Sequence, residues 1–278
     1  MAVPNQQFLR TGDQMETRPR IVPLSESALT IEFGETIDPH TNESVLAFAT
    51  AVERAGLPGI LEVVPTYRSA TVYFDPFRTD VATMTGHFRA LMTATNTTPL
   101  RAPTTHTIPV WYGGSAGPDL GDVAKRAALM PEQVAALHAS VLYRVYMLGF
   151  SPGFPYLGTV PDRIATPRLP TPRKQVAAGS VGIAGTQTGI YPHASPGGWR
   201  IIGRTPVPLF SLTRPAPFLL APGDQVQFVP IEQAEFHALF ENHTCTRHVA
   251  STSIATWEKP RLRSNWMWKP GSWPTSHR

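Results

Sequence analysis

The sequence predicts an α+β protein: a small split-βαβ amino-terminal domain followed by a closed β-barrel. Two observations carry this. Strand and helix patterns alternate up to Tyr112, and between Gly149 and Pro230 the chain becomes a series of short apolar runs separated by 14 Pro and 11 Gly. Proline at that density excludes long helices, and brief strands between turns are best accommodated by closure, which leaves no exposed sheet edge. With 278 residues, one or two packed cores are expected.

In the first part, Ala28 to Phe33 (ALTIEF) reads as a strand. Asp38-Pro39 places a capping side chain before a proline at the first helical turn, where its missing N–H is not needed. Val45, Phe48, Ala49 and Val52 then recur at three- and four-residue spacing, and Gly56 ends the helix near Ala55. Ile60 to Val64 and Ala70 to Phe74 are β-rich runs joined by Pro65-Thr66-Tyr67-Arg68. Thr79-Asp80 opens a second helix bearing Val81, Met84, Phe88 and Leu91, and His106 to Tyr112 is expected as the last strand of a βαββαβ domain. The expected divisions are an extension over 1–20, the small domain over 21–112, the barrel over 113–241 and a basic tail over 242–278. Residues 119 to 139 read as two short helices, the second opened by Pro131.

Composition narrows the function. The excess of base sits in the tail, where six basic residues face Glu258 alone, whereas residues 21–241 hold 15 basic and 17 acidic side chains. A mildly acidic body argues against nucleic acid as a partner. No run of eighteen apolar residues exists, and the first twenty residues hold no apolar stretch, so neither a membrane span nor a secretory leader is expected. One cysteine, Cys245, fits a reducing cytoplasm. The tail from Asn242 holds four of the six tryptophans and reads as an irregular extension with a docking motif.

Gly113-Gly-Ser-Ala-Gly117 matches the nucleophile-elbow string, but the strand–helix repeats such a hydrolase needs do not follow, so a plain turn is expected. In Gly149-Phe-Ser-Pro-Gly153 the residue after the serine is Pro152, which has no N–H for an oxyanion hole. The aromatics Phe150, Phe154 and Tyr156 there are expected to line something concave. No glycine-rich phosphate-binding string is present. His237, His243, Cys245 and His248 match no zinc spacing and read as solvated. Residues 123–140 superficially resemble a helix-turn-helix, yet the second helix lacks basic residues. The segment from Gly185 to Thr205 interleaves Gln187, Thr188, Tyr191, Ser195 and Arg204 with glycines; it reads as a hairpin loop or as a ligand site. His138 lies before it and is more often a buried, bonded histidine than a catalyst.

The stretches YRVYMLGFSPGFPYLG (143–158), ATPRLPTPRKQVAAGSVGIAGTQTGIYPHASPGGWRIIGRT (165–205) and FLLAPGDQVQFVPI (218–231) closely resemble the family of allophanate hydrolase subunit 1 and the B-type subunit of 5-oxoprolinase. That family also includes the sporulation kinase-inhibitor protein and part of the carboxyltransferase region of urea carboxylases. The resemblance runs from about Ile21 to Ile231. It implies a cyclophilin-like barrel and a subunit of ATP-dependent 5-oxoprolinase, inactive alone, that opens 5-oxo-L-proline to L-glutamate. The implied partners are a second cyclophilin-like subunit, of the kind found as allophanate hydrolase subunit 2 and as the C-type subunit of 5-oxoprolinase, and a sugar-utilisation-type subunit. ATP and Mg2+ are implied in the assembled complex, with no cofactor or metal held tightly by this chain. The other implied readings are inhibition of a sensor histidine kinase and a urea-pathway hydrolase or carboxyltransferase subunit. Residues matching family motif positions are His138, Gln187 and Thr188 as catalytic candidates. Arg144, Phe154, Tyr156, Arg168, Arg173, Tyr191, Ser195, Trp199 and Arg204 match as substrate-binding candidates. Arg168 or Arg173 is suited to hold a carboxylate or phosphate, with salt bridges as the rival role, and Gln187 and Thr188 to polarise a lactam oxygen.

Overall fold

The computed structural model describes residues 19–94 and 101–245. In chain order the elements are β1 (Arg20–Ser25), β2 (Ala28–Glu32), α1 (Pro39–Ala55), β3 (Ile60–Pro65), β4 (Ser69–Phe74) and α2 (Val81–Ala94). They are followed by β5 (Thr105–Tyr112), α3 (Leu120–Ala127), α4 (Pro131–Ala139), β6 (Leu142–Leu148), β7 (Pro155–Gly158), β8 (Arg173–Val176) and β9 (Ser180–Ala184). The last are β10 (Gln187–Ile190), β11 (Ser195–Gly197), β12 (Arg200–Arg204), β13 (Gln225–Pro230) and α5 (Gln233–Cys245).

The cap of α1 forms as its sequence dictates. The Asp38 carboxylate accepts the Thr41 backbone N–H at 2.9 Å and the Thr41 hydroxyl at 2.6 Å, and Gly56 closes the helix with φ 56°. Val45, Phe48, Ala49 and Val52 turn onto Leu29, Ile31, Ala70, Val72 and Phe74, so one sheet face is covered by α1 and α2. The sheet itself runs β1-β2-β4-β3, antiparallel throughout.

This corrects the expected small domain in two ways. The strand over residues 105–112 belongs to the barrel, where it pairs in parallel with β13 and antiparallel with β12. Its place in the small sheet is taken by β1, which lies at the sheet edge and contains Pro23, a residue tolerated only where no ladder bond is required. An expected division after Tyr112 therefore falls at the end of a barrel strand.

Seven strands close the barrel in the order β10-β7-β6-β13-β5-β12-β9, with β11 and β8 forming a separate pair. Its interior is filled by Ile108, Val110, Tyr143, Val145, Leu157, Ile183, Ile190 and Phe228, and α3 and α4 add Val123 and Val134. The Gly113–Gly117 segment is a tight turn: Gly113 and Gly114 have φ 74° and 51°, and the Gly117 N–H donates to the Gly113 carbonyl at 2.7 Å. A Cβ at Gly117 would collide with the Ile202 carbonyl, so the glycine serves packing. Helix α5 extends into the expected irregular tail as far as Cys245; residues 246–278, with their tryptophans, lie outside the described residues. No helix among the described residues is long and apolar enough to cross a membrane.

A buried side chain on α1 ties the two parts together. Asn42, fully enclosed on α1, donates to the Thr66 carbonyl at 3.1 Å and the Tyr146 carbonyl at 3.2 Å, and its amide oxygen accepts the Arg144 Nε–H at 3.0 Å. One amide thereby holds α1, the β3–β4 turn and β6 in register.

Candidate functional site

The site lies on the outer face of β7 and β10, where the β3–β4 turn meets the barrel. Side chains alternate along a strand, so when Leu157 and Thr188 point inward, Tyr156 and Gln187 point outward. Gly189, opposite Tyr156, has no side chain, and the rings of Phe154 and Trp199 come to 3.0 Å of where a Cβ would stand. An aromatic nest fills that space edge to face: Phe154 meets Tyr156 at 5.0 Å, Tyr191 at 5.2 Å and Trp199 at 5.4 Å between ring centroids. From the small domain, Tyr67 lies 5.3 Å from the Tyr146 ring and 6.0 Å from that of Tyr156.

Arg168 completes the arrangement. Its guanidinium lies 5.9 Å over Trp199, the side chain is exposed, and among the described residues it has no carboxylate partner. Burial pushes the phenols of Tyr67, Tyr156 and Tyr191 up, and the nearby Arg168 charge opposes that shift without cancelling it. These phenols therefore stay protonated at neutral pH, and they can donate. The Gln187 side chain has no hydrogen-bond partner among the described residues. An exposed guanidinium, an amide and flat apolar faces are what a small, flat, carboxylate-bearing ligand requires.

Of the residues expected from sequence, Phe154, Tyr156, Arg168, Gln187, Tyr191 and Trp199 are brought together here. Ser195 lies in β11, its hydroxyl closed off without a partner among the described residues. Five others are committed elsewhere. Arg173 forms a bidentate pair with Asp119 at 2.7 and 2.8 Å, and the same carboxylate accepts the Ile201 N–H. Arg173 thus takes the rival salt-bridge role, while Arg168 remains available. Arg144 is spent on Asn42 and Glu43 and lines an interdomain cleft of about 510 Å³ with Asp38 and Tyr146. Arg204 donates to the Ala178 carbonyl, and its guanidinium lies against Phe236 and Phe240 of α5 at 5.7 and 5.2 Å.

His138 and Thr188, expected as catalytic, sit inside the barrel with no exposed surface. The Thr188 hydroxyl donates to the Gly182 carbonyl at 2.9 Å, so the bond between Thr188 and His138 Nε2, also 2.9 Å, must be donated by the imidazole. His138 Nδ1 then accepts from the Tyr112 hydroxyl at 2.8 Å. This fixes a neutral Nε2–H tautomer. Burial pushes the imidazole down to about 3. With every polar atom satisfied internally, the pair cannot reach a ligand on the outer face, and its work is structural.

Asn42, Tyr67 and Tyr146 escaped the sequence reading. The available signal was an aromatic residue at the tip of a four-residue turn, where a small polar one suffices. Among the described residues no group of three or more His, Cys, Asp or Glu side chains is placed to hold a metal ion. His237 packs against Trp111 and Phe236; the side chains of His243, Cys245 and His248 lie outside the described ones.

The structure joins a seven-stranded barrel to a small α+β domain, with an arginine and an aromatic nest at their junction. Residues 19–220 match the family model for the carboxyltransferase domain, subdomain C and D, and the chain belongs to that family. It is 42% identical over 237 residues to the B-type subunit of 5-oxoprolinase from Bacillus subtilis (strain 168), covering 82% of this chain and 99% of that protein. Over 123 residues, 44% of this chain and 56% of the relative, it is 58% identical to the B-type subunit of 5-oxoprolinase from Escherichia coli O157:H7. Among solved structures, TTHA0988 superposes with a TM-score of 0.66 at 41% identity over 74% of this chain, which spans only 40% of that longer chain. The Kluyveromyces lactis urea carboxylase, at 21% identity and a TM-score of 0.67 over 81% of this chain and 23% of its own, shares the fold.

Proposed function

We propose that this chain is the B-type subunit of an ATP-dependent 5-oxoprolinase, which opens 5-oxo-L-proline to L-glutamate together with partner subunits. The observation that carries the reading is 42% identity to the B-type subunit of 5-oxoprolinase from Bacillus subtilis in an alignment that spans 99% of that protein. The geometry supports it through the Arg168 site: the guanidinium takes the substrate carboxylate, the faces of Tyr156 and Trp199 cover the ring and exclude water, and the Gln187 amide meets the lactam group.

A lactam resists hydrolysis because its nitrogen is a poor leaving group and its carbonyl a weak electrophile; phosphoryl transfer from ATP to the carbonyl oxygen supplies the activation. Several arginines of this chain are already committed within it. Arg101, Arg144, Arg173 and Arg200 are paired with Asp224, Glu43, Asp119 and Asp122, and Arg204 is packed against aromatic rings. ATP and Mg2+ are accordingly assigned to the assembled complex, with no cofactor held tightly by this chain. The partners are a second cyclophilin-like subunit, of the C type in 5-oxoprolinase, and a sugar-utilisation-type subunit, in the cytoplasm.

The test is glutamate release from 5-oxo-L-proline and ATP by the co-expressed complex, with and without this chain. Activity is expected only when the chain is present, and the chain alone is expected to be inactive. Full turnover by the partners without it would overturn the proposal.

A further inference from the structure

We infer that the small domain contributes a substrate-binding residue, Tyr67, whose hydroxyl donates to the lactam oxygen of a ring whose carboxylate is held by Arg168. The inference rests on the reading of the chain as a 5-oxoprolinase subunit and goes beyond it by making the site a property of both domains.

Three observations carry it. The Tyr67 hydroxyl is closed off from solvent and has no hydrogen-bond partner among the described residues. A buried hydroxyl left unpaired costs roughly 1–3 kcal/mol, a cost that is unusual unless the group has another use. Phenylalanine would fill the same space against Tyr146 and Tyr156 without that cost, so packing alone does not account for the oxygen. Secondly, the residue is aimed. Asn42 binds the Thr66 carbonyl, and the Thr66 N–H donates to the Ser69 carbonyl at 2.7 Å, which fixes the turn and sets the ring against the barrel. Thirdly, Tyr67 and Arg168 are linked through one aromatic path: the Tyr67 ring lies 6.0 Å from Tyr156, Tyr156 lies 5.9 Å from Trp199, and the Arg168 guanidinium lies 5.9 Å over Trp199.

The two groups match the two polar ends of one ligand class. Cyclic amides bearing a carboxylate present an anionic group for a guanidinium and a carbonyl oxygen for an O–H donor, with a small flat ring between them for the faces of Tyr156 and Trp199. Trp199 is buried and its face carries the exposed Arg168 guanidinium, so a ring can lie against it once that side chain swings out to take the carboxylate, and exposed side chains rearrange within nanoseconds.

The experiment compares Tyr67→Phe with wild type in the complete complex. Removing the hydroxyl is expected to raise the KM for 5-oxo-L-proline about tenfold, the loss of one hydrogen bond, with a far smaller change in kcat. The thermal midpoint of the purified chain is expected to hold or rise, because the unpaired group has gone. An unchanged KM in an active complex overturns the inference and leaves the functional reading standing. A lower midpoint with kcat falling at constant KM marks a structural role and overturns it too. If the wild-type complex releases no glutamate, the functional reading fails, and calorimetric titration of the complex with 5-oxo-L-proline decides: binding weakened by Tyr67→Phe sustains the site, and absence of binding overturns it.

Discussion

Acidification from pH 6.5 toward 3 is expected to destabilise the chain through His138 by as much as about 1.4 kcal/mol per pH unit. The imidazole is pushed down to about 3 from its ordinary 6.5 because burial disfavours its charged form. Below 6.5 the unfolded chain therefore takes up a proton that the folded chain refuses; the stability is whole above 6.5 and drains as the pH falls. Among the described residues no charged side chain bonds to the ring: its contacts are the rings of Tyr112, Tyr143 and Phe228 and the Thr188 hydroxyl. Urea midpoints for wild type and His138→Gln across pH 7 to 4 check this, since glutamine has no proton to bind. The wild-type midpoint should fall relative to that of the variant as the pH drops, narrowing any advantage wild type holds at pH 7. A folded-state imidazole that titrates near 6.5 by NMR would show that the barrel admits the charge.

Replacing Asn42 by alanine is expected to cost about 3 kcal/mol, because it strips partners from groups in both domains at once. The Arg144 Nε–H, the Thr66 carbonyl and the Tyr146 carbonyl all lose a bond, the last of them buried. The loss also releases the turn that carries Tyr67, so the effect reaches the site. Hydrogen exchange should show α1 and the β3–β4 turn opening before the barrel, and urea titration should show the lowered midpoint. A change below about 1 kcal/mol, with exchange protection intact, would mean that the domain junction is held by apolar contact rather than by this amide.

Both effects explain what sequence could and could not reveal. Helix α1 was legible because its cap, its apolar spacing and its stop are local signals, and so was the barrel, because proline and glycine punctuate its strands. The membership of residues 105–112 was not. Buried Ile108 and Val110 alternate as they would in either sheet, and pairing with β13, about 120 residues later, is a long-range choice. Strand β1 was missed because Pro23 interrupts a run that only a sheet edge tolerates. Asn42 continues the apolar stripe three residues before Val45, but a polar residue on such a stripe shows its meaning only when its partners arrive from other elements.

The site divides along the same line. Arg168 and Arg173 are indistinguishable as letters, and only the structure shows that Asp119 has claimed one of them. Gln187 and Thr188 are neighbours in β10, yet the alternation of a strand sends one outward and the other to His138. Family resemblance selected the region; strand direction and ion pairing sort its members.

The central claim, that Arg168 on the barrel face holds the substrate carboxylate of a 5-oxoprolinase, is tested most directly by steady-state glutamate release from the assembled complex. Arg168→Ala is predicted to raise the KM for 5-oxo-L-proline about 30-fold, as loss of a charge-assisted hydrogen bond does, while Arg173→Ala lowers stability and leaves that KM near wild type. A KM unmoved by Arg168→Ala and raised by Arg173→Ala would contradict it.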